Sequence, residues 1–237
     1  MDVCYQIAIF RGLEDELIED VFLRTVESGP VYQPIPHELF TDKNRVEYLK
    51  KRNKKACRSD ADRNQLINLT GKSVLDIGCN IGYFGWKNVN KLKWYTGIDS
   101  DPVCIKIAQI IKEELGYENL QFTNIDLIDF IEKTKSHYDI CLFFSIYHHM
   151  LYQIGIGEAR KALNNVSLIC DELYFDMGQK DEPTNRYRHK WHNLLPIEQP
   201  KLYIQREIII NTVFKSAEFL GETKVGNSKR LLFRFTK

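Results

Sequence analysis

The stretch Ser73–Trp86, SVLDIGCNIGYFGW, constrains the fold of this chain more than any other. Its first part, Ser73 to Ile77, is a short apolar run of the kind that forms a strand buried on both faces. Glycines follow at Gly78 and Gly82, and the aromatic segment Tyr83-Phe84-Gly85-Trp86 then reads as the start of a helix. Strand, glycine turn and helix in that order is how an open α/β sheet places a ligand at the carboxyl end of its first strand. Glycine suits such a turn because it takes positive φ without strain and lets backbone approach a ligand closely. The spacing is neither G-x-G-x-x-G nor a phosphate loop, since no G-K-S/T follows. It reads Asp-x-Gly-x-x-x-Gly on Asp76, Gly78 and Gly82, with Asn80 between the glycines; asparagine tolerates left-handed backbone better than most residues.

Downstream the pattern alternates. Strands are predicted at Trp94–Ile98, Leu120–Thr123, Tyr138–Ser145 and around Leu173–Met177. Helices are predicted at Tyr83–Val89, from Pro102 to about Leu115, at Leu127–Thr134, Ile156–Leu163 and Gln205–Phe219. Two strands, Glu222–Val225 and Arg230–Phe235, close the chain around a Gly226-Asn227 turn. Alternation of this kind implies an α/β fold with a parallel sheet. Upstream, residues 1–30 carry apolar positions at helical spacing, and residues 31–58 read as irregular and basic, ending in the run Lys50–Lys55. Ser59-Asp60 can cap a short helix through Leu69. The expected organisation is an N-terminal extension over 1–58, part of a cofactor lid, and one domain over 59–237, which suits a chain of 237 residues.

Charge and cysteine usage narrow the class. Lys plus Arg number 33 against 32 Asp plus Glu, a net of +1, which argues against life on bulk nucleic acid or an anionic membrane while allowing a local basic patch. Six cysteines with no C-x-x-C pair suit buried, reduced thiols in a cytoplasmic protein, and no metal site is expected. The N-terminus lacks a signal pattern and no apolar run approaches the ~20 residues of a membrane helix, so no membrane insertion is expected.

The Asp76–Gly78–Gly82 pattern resembles motif I of the class I S-adenosylmethionine methyltransferases, with Asn80 in place of the middle glycine. The resemblance implies a Rossmann-like, seven-stranded, mostly parallel sheet with one antiparallel edge strand, and S-adenosylmethionine as cofactor. Asp99, with Ser100 beside it, stands at the end of the second predicted strand, where a carboxylate can accept two hydrogen bonds from ribose hydroxyls. Asp126 follows the third strand, where the family places an acid against the adenine amino group, and Ile98, Ile125 and Leu127 offer apolar contact to the ring.

After the fourth strand comes FFSIYHHM, with His148 and His149. A neutral imidazole, reference pKa ~6.5, suits a general base for a hydroxyl nucleophile. The loop after the fifth strand carries Lys180, Arg186, Arg188, Lys190 and Trp191: guanidinium forks suit phosphate or carboxylate, and flat rings suit sugar faces. Tyr32-Gln33, SDADR ending at Arg63, LDIGCNIGYF, SIYHHM with GIGEARKAL, and KDEP together are similar to the methyltransferase domain of bacterial O-antigen polysaccharide chain terminators. That resemblance implies that Tyr32, Gln33 and Arg63 bind the cofactor, Arg63 through its carboxylate, and that Ser145 lines the pocket. It implies methylation of an oxygen on a glycan or phosphoglycan acceptor. Since nothing in the sequence reads as kinase or coiled coil, the phosphate is expected from another protein, and the expected partner is a separate kinase or glycosyltransferase. The alternatives are a tRNA or other RNA methyltransferase, a small-molecule O-methyltransferase, and a partner protein that binds the cofactor without turnover.

Overall fold

A computed structural model describes residues 33–39, 43–55, 58–180, 182, 190–196, 199–225 and 228–237. The helix expected within residues 1–30, Tyr32, the Arg186–Arg188 stretch and the Gly226-Asn227 turn lie outside the described residues.

Seven strands form one sheet: β1 Ser73–Ile77, β2 Trp94–Asp99, β3 Leu120–Asn124, β4 Tyr138–Phe144, β5 Cys170–Asp176, β6 Ser216–Val225 and β7 Ser228–Thr236. Their order is β3-β2-β1-β4-β5-β7-β6. β1 to β5 pair in parallel, and β7 runs antiparallel to both of its neighbours at that edge of the sheet. The class I methyltransferase architecture expected from the sequence is thus the observed one. β1 sits between β2 and β4, where the chain reverses its direction of travel across the sheet, and the crevice outside the carboxyl ends of the strands opens at such a point.

The helices are α1 Lys43–Lys55, α2 Arg58–Leu66, α3 Tyr83–Asn88, α4 Pro102–Glu114, α5 Leu127–Lys133, α6 Tyr147–Gln153, α7 Gly155–Leu168 and α8 Pro200–Asn211. Alternation along β1 divides the core between the two faces of the sheet. Leu75 and Ile77 join a cluster with Phe143, Tyr147, Leu163 and Phe175, whereas Val74 joins Tyr83, Phe84, Tyr95 and Ile140. α4 starts as its sequence dictates: Asp101 accepts the Val103 and Cys104 amides at 2.8 and 3.3 Å, and Pro102 occupies the first turn.

Three local expectations are corrected. Lys50–Lys55 lies in α1 rather than in irregular chain, and Leu49 of α1 packs with Ile35, Ile81 and Ile107. The helix expected over Gln205–Phe219 ends at Asn211, and Phe219 belongs to β6. The run Ile208-Ile209-Ile210 followed by Val213-Phe214 is apolar without a clean period, so pattern alone cannot separate helix from strand there. α6, which begins two residues after Ser145, is a helix that the sequence pattern did not mark.

Candidate active site

The glycine turn after β1 is pinned from three sides. Gly78 and Cys79 donate their amides to the Ile98 carbonyl at 2.8 and 3.0 Å, Asn80 donates its amide to Asp99 Oδ2 at 2.8 Å, and Gln33 Oε1 accepts the Ile81 and Tyr83 amides, both at 3.2 Å. Gly78, Asn80 and Gly82 all have positive φ, at 71°, 51° and 76°. A Cβ on Gly82 would run into the Phe122 ring, so that position favours glycine for space as well as conformation, whereas Gly78 favours it for its positive φ, its nearest neighbour being the movable end of the Ile146 side chain.

Over this turn a cavity of about 480 Å³ opens at the carboxyl ends of β1, β2 and β3. Gly78, Asp99, Ser100, Ile125, Asp126 and Ile146 are in its wall. Five of the residues read from the sequence as cofactor-binding therefore meet in one cavity. Burial pushes the Asp99 carboxyl up, against amide hydrogen bonds from Asp101 and Asn80 that hold it down. Asp126 caps α5, its Oδ1 accepting the Asp129 amide at 2.9 Å, which leaves Oδ2 for a second partner.

Asp76 takes a different place. It is buried beneath the turn and accepts the Tyr95 hydroxyl at 2.5 Å. Burial pushes its carboxyl up to about 8, with the Tyr95 hydrogen bond opposing.

Beyond Ile146 the character of the site changes. Arg63, buried on α2, donates from Nε to Asp176 Oδ2, from Nη1 to Asp60 Oδ1 and from Nη2 to Ser145 Oγ, each at 2.6 Å. Arg230, buried on β7, donates from Nη1 to the same Ser145 Oγ at 2.6 Å and grips Glu182 with Nε and Nη2 at 2.7 and 2.9 Å. Ser145 has φ 62°, and its amide donates to Asp176 Oδ1 at 2.9 Å. Burial raises the Asp60 carboxyl, the Arg63 charge opposing it. Of this cluster the sequence picked out Arg63 and Ser145. It missed Asp176, Arg230 and the role of Glu182, although Glu182 lies in the KDEP stretch.

The histidines divide. His148 is 1% exposed; its Nδ1 accepts the Gly178 amide at 2.9 Å, and its ring meets the Trp191 indole edge-on at 4.4 Å between centroids. Because an amide always donates, the neutral ring carries its proton on Nε2, and the base expected at His148 already has its lone pair engaged. His149 is exposed. Trp191, expected to offer a flat ring to a sugar, is instead 3% exposed, packed on His148 and against Gly178. Lys180 Nζ donates to the His192 carbonyl at 2.7 Å, holding the loop to the 3-10 turn Lys190–Leu194. Among the described residues no group of three or more His, Cys, Asp or Glu is placed to hold a metal, and no helix is long and apolar enough to cross a membrane.

A family model described as a methyltransferase domain matches residues 68–191. The O-antigen chain terminator bifunctional methyltransferase/kinase WbdD of Escherichia coli is 25% identical over 116 residues, 47% of this chain and 16% of that protein. A tRNA U34 carboxymethyltransferase of Campylobacter curvus is 31% identical over 118 residues, 47% of this chain and 38% of that one. These matches take in well under half the length of either relative. Among solved structures, monomeric WbdD superposes on 90% of this chain and 48% of its own at 20% identity, with a TM-score of 0.67. Magnesium protoporphyrin IX methyltransferase of Synechocystis, solved with bound S-adenosylmethionine, covers 95% of this chain and 98% of its own at 18% identity, with a TM-score of 0.54.

Proposed function

The chain belongs to the methyltransferase-domain family and carries an S-adenosylmethionine-dependent methyltransferase domain, and from that premise we propose that it methylates an oxygen of a glycan or phosphorylated glycan in bacterial surface-polysaccharide biosynthesis. The observation that carries the cofactor side is the cavity at the ends of β1 to β3, lined by Asp99, Asp126 and a positive-φ glycine, Gly78.

The residues fit the cofactor. Asp99 offers lone pairs to ribose hydroxyls beside Ser100, Asp126 Oδ2 offers one to the adenine amino group, and Ile125 offers apolar contact to a ring. Gly78, Asn80 and Gly82 shape the backbone around the methionine portion, with Asp76 supporting them from below. Gln33 ties the segment before residue 59 to that turn, which suits a lid over the cofactor, and we assign Tyr32 to cofactor binding with it. Arg63 is the cation for a carboxylate. When bound, S-adenosylmethionine supplies a methyl group already activated by its sulfonium, so the protein's task is alignment.

The acceptor side rests on weaker likeness and on the histidines. With the His148 lone pair taken by Gly178, a phosphate oxygen, which needs no base, is favoured over a sugar hydroxyl. Lys180, Arg186, Arg188 and Lys190 are the cations we assign to that phosphate, and His149 is the base should the nucleophile be a hydroxyl. The phosphate would come from a kinase, in the cytoplasm. Calorimetry with S-adenosylmethionine tests the cofactor: binding that Asp99→Ala abolishes is expected, and an intact titration in that variant rejects the assignment. Methyl transfer to a phosphorylated glycan, with a pH profile that His149→Ala leaves unchanged, is expected for the acceptor; transfer to the unphosphorylated glycan alone rejects the phosphate.

A second reading is favoured by the Campylobacter relative: methylation of RNA, with the basic run on α1 tracking the backbone. It requires RNA binding that weakens steeply with salt.

A further inference from the structure

Two buried guanidinium groups converge on one hydroxyl. Arg63 Nη2 and Arg230 Nη1 both lie 2.6 Å from Ser145 Oγ. Like charges meet so closely only where anions hold each from behind. Asp176 and Asp60 do this for Arg63, and Glu182 does it for Arg230 in a two-pronged pair whose side chains are 8% and 9% exposed. Glu182 is itself fixed, because its Oε1 also accepts the Gln179 amide at 2.9 Å, and Gln179 Nε2 reaches the Lys229 carbonyl next to Arg230 at 2.9 Å.

The geometry points to Arg230 as a positioning residue for Arg63, acting through Ser145 at the methionine end of the cofactor crevice. This rests on the cofactor reading above. Ser145 is followed directly by Ile146, which walls the cavity and lies against Gly78, so the junction adjoins the cavity at the glycine turn. Asp176 Oδ1 already accepts the Ser145 amide at 2.9 Å and is 3.3 Å from its hydroxyl. Arg230 supplies a fixed donor to that hydroxyl. Without it, the Ser145 side chain is free to turn about its Cα–Cβ bond and carry the oxygen away from Arg63. Arg63 then loses one of its three fixed contacts, and its guanidinium is less firmly placed. Glu182 matters by the same route, as the anchor of Arg230.

The test compares two ligands in the full chain. S-adenosylhomocysteine carries the amino-acid end that Arg63 would hold; 5′-methylthioadenosine lacks it and keeps the adenosine. Arg230→Ala is expected to weaken S-adenosylhomocysteine about tenfold, the scale of one charge-assisted hydrogen bond, and to leave 5′-methylthioadenosine within about twofold. Glu182→Gln should shift the same ratio in the same direction by about threefold, and Arg230→Lys should recover part of it. Equal weakening of both ligands would mean that Arg230 is merely structural and overturns the inference, as would an unchanged ratio. If Arg230→Ala does not fold, Glu182→Gln and Arg230→Lys carry the same comparison. Should the wild-type chain bind neither ligand, it is the cofactor reading that fails.

Discussion

The two ends of the proposed cofactor site are built on opposite plans. At the adenosine end the polar groups are held by backbone amides: Asp99 by those of Asp101 and Asn80, Asp126 by that of Asp129. They stand in the cavity wall with acceptor capacity to spare. At the methionine end the partners come from across the chain, Arg63 meeting Asp176 and Ser145, and Arg230 meeting Glu182 and Ser145, and their charges are turned on one another. One end is a receptacle on a finished scaffold, whereas the other is part of the scaffold. Mutation should therefore cost chiefly binding at the first, and stability as well as binding at the second.

The largest expected effect is at the methionine end. Arg63→Ala would leave Asp176, fully buried, with the Ser145 amide and hydroxyl alone, and should cost about 3–5 kcal/mol of stability in urea unfolding, the range for breaking a buried pair. The combined change Arg63→Met with Asp60→Asn and Asp176→Asn should recover most of that loss, since it is the stranded charges that destabilise. A single variant that unfolds with wild-type stability would break the contrast.

Asp99→Ala should do the reverse. Stability is expected to fall by about 1 kcal/mol, because two backbone amides lose an acceptor while a carboxylate that burial disfavours is removed. Affinity for S-adenosylmethionine should drop about a hundredfold by calorimetry, two charge-assisted hydrogen bonds to the ribose being lost. A loss of stability exceeding the loss of affinity would mean that the adenosine end is scaffold too.

Asp76 joins the two ends from below and should announce itself through pH. Its carboxyl holds a proton up to about 8 in the folded chain, against an ordinary value of 3.8. Between those values the native state binds the extra proton, so this residue's contribution to stability falls as pH rises, by at most about 1.4 kcal/mol per unit. Asp76→Asn keeps an acceptor for the Tyr95 hydroxyl and removes that slope. Thermal melts of the pair from pH 5 to 8 should show the variant gaining steadily on the wild type, and a constant difference would contradict the protonated state.

The same contrast separates what is legible in the amino-acid sequence from what is not. The turn after β1, Asp99 and Asp126 are legible because each is a local event: an apolar run ends, a glycine or an acid follows, and parallel strands bring their carboxyl ends to one edge whatever the rest of the chain does. Arg230 and Asp176 are not. Arg230 sits in an alternating strand where an arginine ordinarily faces solvent, and only the antiparallel pairing of β7 with β5 carries it back to Ser145. Trp191 and His148 mislead for a related reason. An aromatic ring beside cations in a polar loop looks exposed, and nothing in the spacing says that it folds back over Gly178. The helix expected over Gln205–Phe219 fails where an apolar run has no period to read.

The smallest effect sharpens the question of the acceptor. His148 and His149 are adjacent, with ring centroids 4.2 Å apart, yet one is core and the other surface. His148→Ala strands the buried Gly178 amide and empties a space beside Trp191, and should cost about 1–3 kcal/mol. That variant therefore cannot separate base catalysis from structure. His149→Ala can, because an exposed side chain can be removed within about 0.5 kcal/mol. If the acceptor oxygen belongs to a phosphate, the rate between pH 6 and 8 should be the same with and without the His149 imidazole. If it belongs to a hydroxyl, the variant should lose rate and also lose the inflection near the imidazole pKa. A rate that falls without any change in the profile's shape would point to His149 holding the acceptor rather than taking its proton.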